Sequence, residues 1–570
     1  MPKISQLPSA QPLSGSETLV FVQGGVTVQG NASSISKYIS STALSAYAQL
    51  SAANTFTRTQ TFASQSINLG SIPISANSCD SFFFGTFAGS NSTSLPGNFF
   101  IGGNAGRNAS GVQYSNFIGG AAGYNATHAA SSNFLGVNTG NGATCANNSN
   151  FIGFTAGFCA SGARYSNFLG SSVGRCALSA CHSNFIGRDA GSSATDACYS
   201  NFIGKYAGRN AYCANNSNFI GSTAGFCASG ASFSNFLGTN AGRCALDAIC
   251  SNFIGYNAGY GTASVFANKA FHSNFLGYAA GFAATCANNS NFIGSNAGAG
   301  ATCACNSNFL GFSAGVTATC ACNSNFLGRN AGSSATQASR SNFIGCRAGG
   351  SATCACDSNF IGVAAGYTAQ KAFYSNFIGR CAGIYAECAS NSNFIGNRAG
   401  HSAICACYSN FIGTAAGGCS NDVYATCASF SNFIGFAAGL RSTYARNSNF
   451  IGSGAGNTAR YANYSNFIGF YAGKYATSAC RSSFIGYCAG FCATNASNSV
   501  FMGTFAGCGA SSACSSIAIG FSAIPTGPNQ LVLGSAVAPL SVIPGTSLSS
   551  SVSGLRVRIN GVFRTIPLLT

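Results

Sequence analysis

Cysteine is the reactive side chain that this sequence uses with a rhythm. There are 29 in 570 residues. A glycine that follows Phe-Ile or Phe-Leu recurs along the chain, and the cysteines keep step with it. Counted from that glycine, eight lie at the ninth following place, with Cys427 at the equivalent place of a longer unit, and eight at the eleventh. Four units carry both, as Cys-Ala-Cys: Cys303 and Cys305, Cys320 and Cys322, Cys354 and Cys356, Cys405 and Cys407. Thiols so spaced have three uses. They can pack as small hydrophobes in columns. They can join as disulfides between successive units or between chains in an oxidising medium. They can hold a soft metal such as Zn or Cu(I), although no His joins them and the spacing lacks a zinc-finger pattern. If successive units stack at strand separation, Cys303 meets Cys320 and Cys305 meets Cys322 at about 4.8 Å, within the disulfide range. The sequence leaves these uses open; no cofactor is implied.

Acid–base chemistry is poorly provided for. The chain has 8 Asp plus Glu and 4 His. Polysaccharide hydrolysis needs two carboxylates at a set separation, yet Asp80, Asp247, Asp357, Glu387 and Asp422 fall in different units. Asp189 and Asp196 share a unit with nothing to orient them as acid and base. His128, His182, His272 and His401 have no catalytic or metal partner by spacing. No catalytic, cofactor or metal residue is assigned, and an enzyme is not expected. The net charge of +17 is spread over Arg107, Arg175, Lys205, Arg209, Arg243, Arg329, Arg398 and Lys474. Without a basic cluster, nucleic-acid binding is not expected. The charge serves either solubility or attraction to anionic surface glycans.

The elements that place these residues follow from the repeat. From Gly85 to Gly520 the strand glycine recurs at twenty-three intervals of 17 residues and two of 22. The unit reads S-N-F-I-G-x-x-A-G-x-x-A-x-x-A-x-x. Glycine is high (74 residues), charged residues are 6%, the hydrophobic share is 46% and mean hydropathy is +0.23. That composition excludes ordinary disorder, and 10 Pro without a period of three excludes collagen. Seventeen residues are too few for a helical pair, and Gly, Ser, Asn and Phe form helices poorly. The expected fold is all-β: a parallel β-solenoid, or β-roll, of about 26 coils at one unit per coil. At about 4.8 Å per coil it makes a rod of about 125 Å. Identical positions then form ladders, for example Asn116, Phe117, Ile118 and Gly119, or Asn184, Phe185, Ile186 and Gly187, or Asn342, Phe343, Ile344 and Gly345. Asn and Phe gain from such stacking. The alanines point inward and the variable places outward.

Adjacent strand residues face opposite sides. Either Phe or Ile therefore lines the outer wall, in about 25 copies, more apolar surface than a soluble monomer tolerates. A parallel homotrimer would bury it by one repeated contact; the other solution is a corner that puts both side chains inside a single coil. The two longer units insert Tyr260, Gly261, Thr262, Ala263 and Ser264, and Gly418, Cys419, Ser420, Asn421 and Asp422, at the same corner. These are either projecting receptor loops (Tyr260, Thr262, Ser264, Ser420, Asn421, Asp422) or tolerated slippage.

The units resemble the head repeats of trimeric autotransporter adhesins, which are left-handed parallel β-rolls. The likeness is strongest at Ser516-Ile517-Ala518-Ile519-Gly520 followed by Leu531-Val532-Leu533-Gly534, and it departs in the 17-residue period and the Phe. The opening segment resembles phage tail-fibre and virion proteins and includes LVFVQGGVTVQ, alternating about a Gly-Gly turn. AANTFTRTQTF at 52–62 resembles fibre connecting motifs, and LRVRINGVFRTIPLLT a closing strand pair of phage structural proteins. These resemblances imply a virion-attachment segment at 1–45, a connector or cap at 46–78, the solenoid shaft at 79–534 and a cap at 535–570. They imply a homotrimeric phage fibre that binds a virion component through its N-terminus and a host-surface glycan or protein at distal parts. The alternative is a bacterial or environmental adhesin filament. The first residues lack the apolar core of a signal peptide, and no run of about 18 apolar residues exists. Assembly in a host cytoplasm and no membrane insertion are the expectations.

Overall fold

A computed structural model describes residues 80–93, 96–261, 269–418 and 427–538, together with the strands Thr18–Gln23, Val26–Asn31, Ile67–Leu69, Ile72–Ala76, Gly554–Ile559 and Val562–Pro567. The described residues are all-β with no helix and form a parallel β-solenoid of about 26 turns with a period near 17 residues. The chain divides into two compact units, Met1–Phe394 and Ile395–Thr570.

In the first unit, Thr18–Gln23 and Val26–Asn31 pair antiparallel, where the alternating sequence about Gly24-Gly25 predicts a hairpin. Ile67–Leu69 pairs antiparallel with Ile72–Ala76, which pairs antiparallel with Phe82–Phe84, the first rung of the solenoid. That hairpin occupies an edge that would otherwise offer unpaired backbone groups to another chain. From Phe82–Phe84 onward the pairing is parallel and in register: Asn116 opposite Asn133, Phe185 opposite Phe202, Ile344 opposite Ile361. In the second unit parallel rungs run from Asn410–Ile412 to Leu531–Leu533. The strands Gly554–Ile559 and Val562–Pro567 pair antiparallel there.

Each regular rung has a strand of only three residues, such as Asn184–Ile186. The rest of the circumference is turn, yet it is also paired. Asp189 N donates to Ser171 O (3.0 Å), Gly191 N to Ala207 O (2.8 Å), Ser193 N to Arg175 O (2.8 Å), Thr195 N to Ala211 O (2.9 Å) and Tyr199 N to Cys181 O (2.9 Å). Donation thus goes to the rung before and the rung after in turn. Buried backbone groups must be satisfied, and here the neighbouring rung does so at the corners as well as in the strand. The corner residues take left-handed φ without being glycine: Asp189, Ser193, Asp196 and Tyr199 lie at 56°, 57°, 49° and 55°.

The core is a stack of identical layers. Phe185 and the alanines Ala190, Ala194 and Ala197 are fully buried. Phenylalanine rings stack rung on rung, with centroids 4.6 Å apart for Phe168–Phe185 and 4.7 Å for Phe185–Phe202, tilted by 3° and 6°. Ser183 and Ser200 are also buried. Ser200 N donates to Ser183 Oγ (2.9 Å), and Ser183 Oγ in turn donates to Ala197 O. A buried hydroxyl is thereby used as donor and acceptor.

Two glycines per rung permit this packing. Gly187 has φ +121°, and a Cβ there would stand 2.8 Å from Gly204 O of the next rung. Gly191 has φ +60°, and a Cβ there would stand 2.3 Å from the ring of Phe185. The first glycine allows backbone to meet backbone; the second leaves the space that the Phe ring fills.

Candidate functional site

Phe faces in and Ile faces out, so a coil that buries both is not what this chain makes. The outer wall of the strand carries two parallel ladders. In one, Asn116 Nδ2 donates to Asn133 Oδ1 (2.7 Å), Asn184 Nδ2 to Asn201 Oδ1 (2.8 Å) and Asn342 Nδ2 to Asn359 Oδ1 (2.7 Å). In the other, Ile118, Ile186 and Ile344 are each 37% exposed. Strand alternation explains the pairing: Asn and Ile flank the inward Phe. Gly119, Gly187 and Gly345 close the strands at φ 130°, 121° and 124°. Asn291, Ile293, Asn308, Leu310, Asn325, Leu327 and Ile344 line a shallow groove of about 320 Å³ along this wall. No strand from Phe82–Phe84 to Leu531–Leu533 holds a charged residue.

Thiols occupy other columns. Cys303 has φ 50°, so Cys303 and Cys305 do not lie on an extended stretch. Ala304 between them is buried, Cys303 is exposed and Cys305 half-buried. Cys181 and Cys198, one rung apart at the eleventh place, form a disulfide with Cα atoms 4.6 Å apart. Cys303, Cys305, Cys320 and Cys322 carry no disulfide. Burial first, then the neighbouring Cys305, pushes the Cys322 thiol up, and its Sγ donates to Cys303 O (2.7 Å). Burial first, then the neighbouring Cys286 and Cys320, does the same to Cys303. Cys354 and Cys356 have Gln337 and Ser339 on one side and Lys371 and Phe373 on the other in their columns. Burial and the adjacent Asp357 raise the Cys356 thiol. Cys405 and Cys407 are half-buried in the second unit.

Of the loop residues singled out in the sequence, Thr262, Ser264, Ser420, Asn421 and Asp422 lie outside the described residues. Tyr260 is a rung residue. Its ring stacks on Phe282 at 5.3 Å, Arg243 lies 5.4 Å from its centroid, and Arg243 Nη1 donates to its hydroxyl (3.2 Å). Arg243 also covers Phe226, so the fifth place after the strand glycine is a column of aromatic rings and guanidinium. Arg175 over Phe158 repeats the pattern.

Sequence reasoning missed a second outer column at the twelfth place. The rings of Tyr165, His182 and Tyr199 stack at 4.9 Å spacing; the common offset from the strand glycine was the available signal. The same signal marks Cys181 and Cys198. Arg340 and Asp357, also one rung apart, pair at 2.6 Å. The Arg340 hydrogen bond holds the Asp357 carboxyl below its usual range. Among the described residues no three His, Cys, Asp or Glu side chains converge as metal ligands, and no helix is long and apolar enough to cross a membrane. No protein-family model, curated protein or solved structure matches the chain.

Proposed function

We propose that this chain is a structural fibre of a phage virion, a tail fibre or similar appendage. Its solenoid self-associates as a trimer, and its variable outer places meet the host surface. The observation that carries the reading is the uncharged wall of Asn and Ile or Leu repeated rung after rung. Soluble proteins rarely leave a continuous apolar surface beyond a few hundred Å², and three identical chains close such a seam with one repeated contact. The terminal segments that resemble phage fibres supply the context, with the N-terminal segment on a virion component and distal parts on a glycan or protein receptor. The role is mechanical and adhesive rather than catalytic, in keeping with carboxylates that are few and nowhere oriented as an acid–base pair.

Sedimentation equilibrium of the full-length chain tests the association. A mass of three chains is expected; a single-chain mass at every concentration would remove the basis of the proposal. Mass spectrometry of purified virions tests the context, with the chain expected among the particle's proteins. A second reading, a surface adhesin filament, draws on the last two rungs, Ile517–Ile519 and Leu531–Leu533, whose 14-residue spacing matches adhesin heads. Recovery from a cell surface instead of virions would favour it.

A further inference from the structure

The in-register stack turns a sequence repeat into pairs of thiols. Within the first unit, wherever two successive 17-residue repeats carry Cys at the same offset, the two side chains face each other across one rung. Cys181 and Cys198 show the outcome, bonded across a Cα separation of 4.6 Å. The first unit contains four more columns of this kind. Cys159 and Cys176 share the sixth place, as do Cys227 and Cys244; Cys286, Cys303 and Cys320 share the ninth; Cys305 and Cys322 share the eleventh. The rung neighbours sense each other: Cys176 adds to burial in raising the Cys159 thiol, and Cys305 adds to burial in raising the Cys322 thiol. All are exposed or half-buried, so a small reagent reaches them. Parallel in-register rungs hold Cα atoms at about 4.8 Å, inside the span that a disulfide bridges.

We infer that these columns are inter-rung oxidation sites. Cys159–Cys176, Cys227–Cys244, Cys305–Cys322 and one pair among Cys286, Cys303 and Cys320 close into disulfides by exchange with a small-molecule disulfide. In the first step one protein thiolate attacks a sulfur of the reagent, forming a mixed disulfide and releasing one small thiol. In the second the rung neighbour, deprotonated, attacks the protein sulfur of that mixed disulfide and releases the second small thiol. Two protein thiols lose two protons and two electrons, and one reagent disulfide is reduced to two thiols. The column of three closes one bond and keeps one thiol. Burial raises the thiols of Cys159, Cys244, Cys303 and Cys322, so exchange runs faster in mildly alkaline than in neutral buffer, because the thiolate is the nucleophile. The sites bear on how the solenoid is locked, whether or not it serves as a virion fibre.

The test uses the full-length chain, reduced and then exposed to oxidised glutathione, alkylated, and digested without reduction. Peptide mass spectrometry should recover the four cross-links beside Cys181–Cys198. Cys145, Cys250 and Cys346, which have no column neighbour of their kind, should remain alkylated. A non-reducing gel should show single chains. Cys322→Ser should leave Cys305 alkylated and the other pairs closed. Persistent glutathione adducts, fully alkylated pairs, bonds between non-neighbouring rungs or cross-linked chains would each overturn the inference.

Discussion

The two recurrent glycines of each rung have duties that other glycines lack, and substitution separates the two kinds. Gly345 lies at φ +124°, and a Cβ would sit 2.7 Å from Gly362 O; no flexible side chain can yield there. Gly345→Ala is therefore expected to destabilise by about 1–3 kcal/mol or more, the range for a residue forced into a sparsely populated backbone region. Gly120 has no positive φ and open space around its missing Cβ, so Gly120→Ala should leave stability unchanged. Denaturant melts of the two variants check the contrast, and equal losses would contradict it. The strand glycines were legible because their spacing is 17 residues at all but two intervals. The left-handed corners were not: Asp189, Ser193 and Tyr199 share a backbone state but no side-chain chemistry, since their N–H groups donate to the adjacent rung. At the same scale, Arg340 lowers the Asp357 carboxyl. Its folded value lies below the unfolded one, so the contribution is present above the usual carboxylate range and is lost as pH falls through the folded value. Arg340 is exposed and Asp357 half-buried, and solvent weakens the pair. Asp357→Asn should give an unfolding midpoint that differs little from the parent at neutral pH and not at all in acid, as a pH series of melts would reveal.

The rung is the element, and its stability comes from its neighbours. Repeat proteins of this kind sum local stabilities and nearest-neighbour contacts, so a lesion should stay local. Phe253 is fully buried and stacks on Phe236 and Phe275. Phe253→Ala should cost about 3–5 kcal/mol, the range for removing a buried aromatic ring. Amide exchange should speed up in the rungs of Asn235–Leu237, Asn252–Ile254 and Asn274–Leu276 while distant rungs in the unit keep their protection. Uniform loss along the unit would mean that the rungs unfold as one body. The period of 17 announced the rung, but alternation alone could not say whether Phe or Ile pointed inward. What decides it is room: Gly259 vacates the space that Phe253 fills, since a Cβ there would stand 2.3 Å from the ring. The longer units show how far the stack tolerates insertion. Phe253 and Phe275 remain parallel, tilted by 5°, across one insert, whereas Phe411 and Phe433 meet at 73° across the other. The sequence marks both inserts alike, and the difference lies in side-chain packing that spacing does not encode.

At the scale of the whole molecule, the distribution of charge separates two ways in which copies could associate. The net charge is +17, yet the strands are uncharged from Phe82–Phe84 to Leu531–Leu533. Association through basic side chains would weaken as salt screens them. Association through the Asn and Ile or Leu wall should persist or strengthen, because salt lessens repulsion between like-charged chains and leaves apolar burial intact. The decisive variant combines Ile220→Lys and Ile254→Lys. These positions are 37% and 39% exposed, so the single-chain fold should accept the longer side chain. In a shared seam, each isoleucine that becomes fully buried contributes about 1.5–3 kcal/mol, and an unpaired lysine buried in its place costs more than that contribution. Two substitutions per chain place six such charges in a trimer. The expected result is dissociation to single chains in velocity sedimentation at moderate salt, with circular dichroism unchanged. An assembly that survives both lysines, or one that the parent chain loses merely on raising salt, would move the contact off this wall.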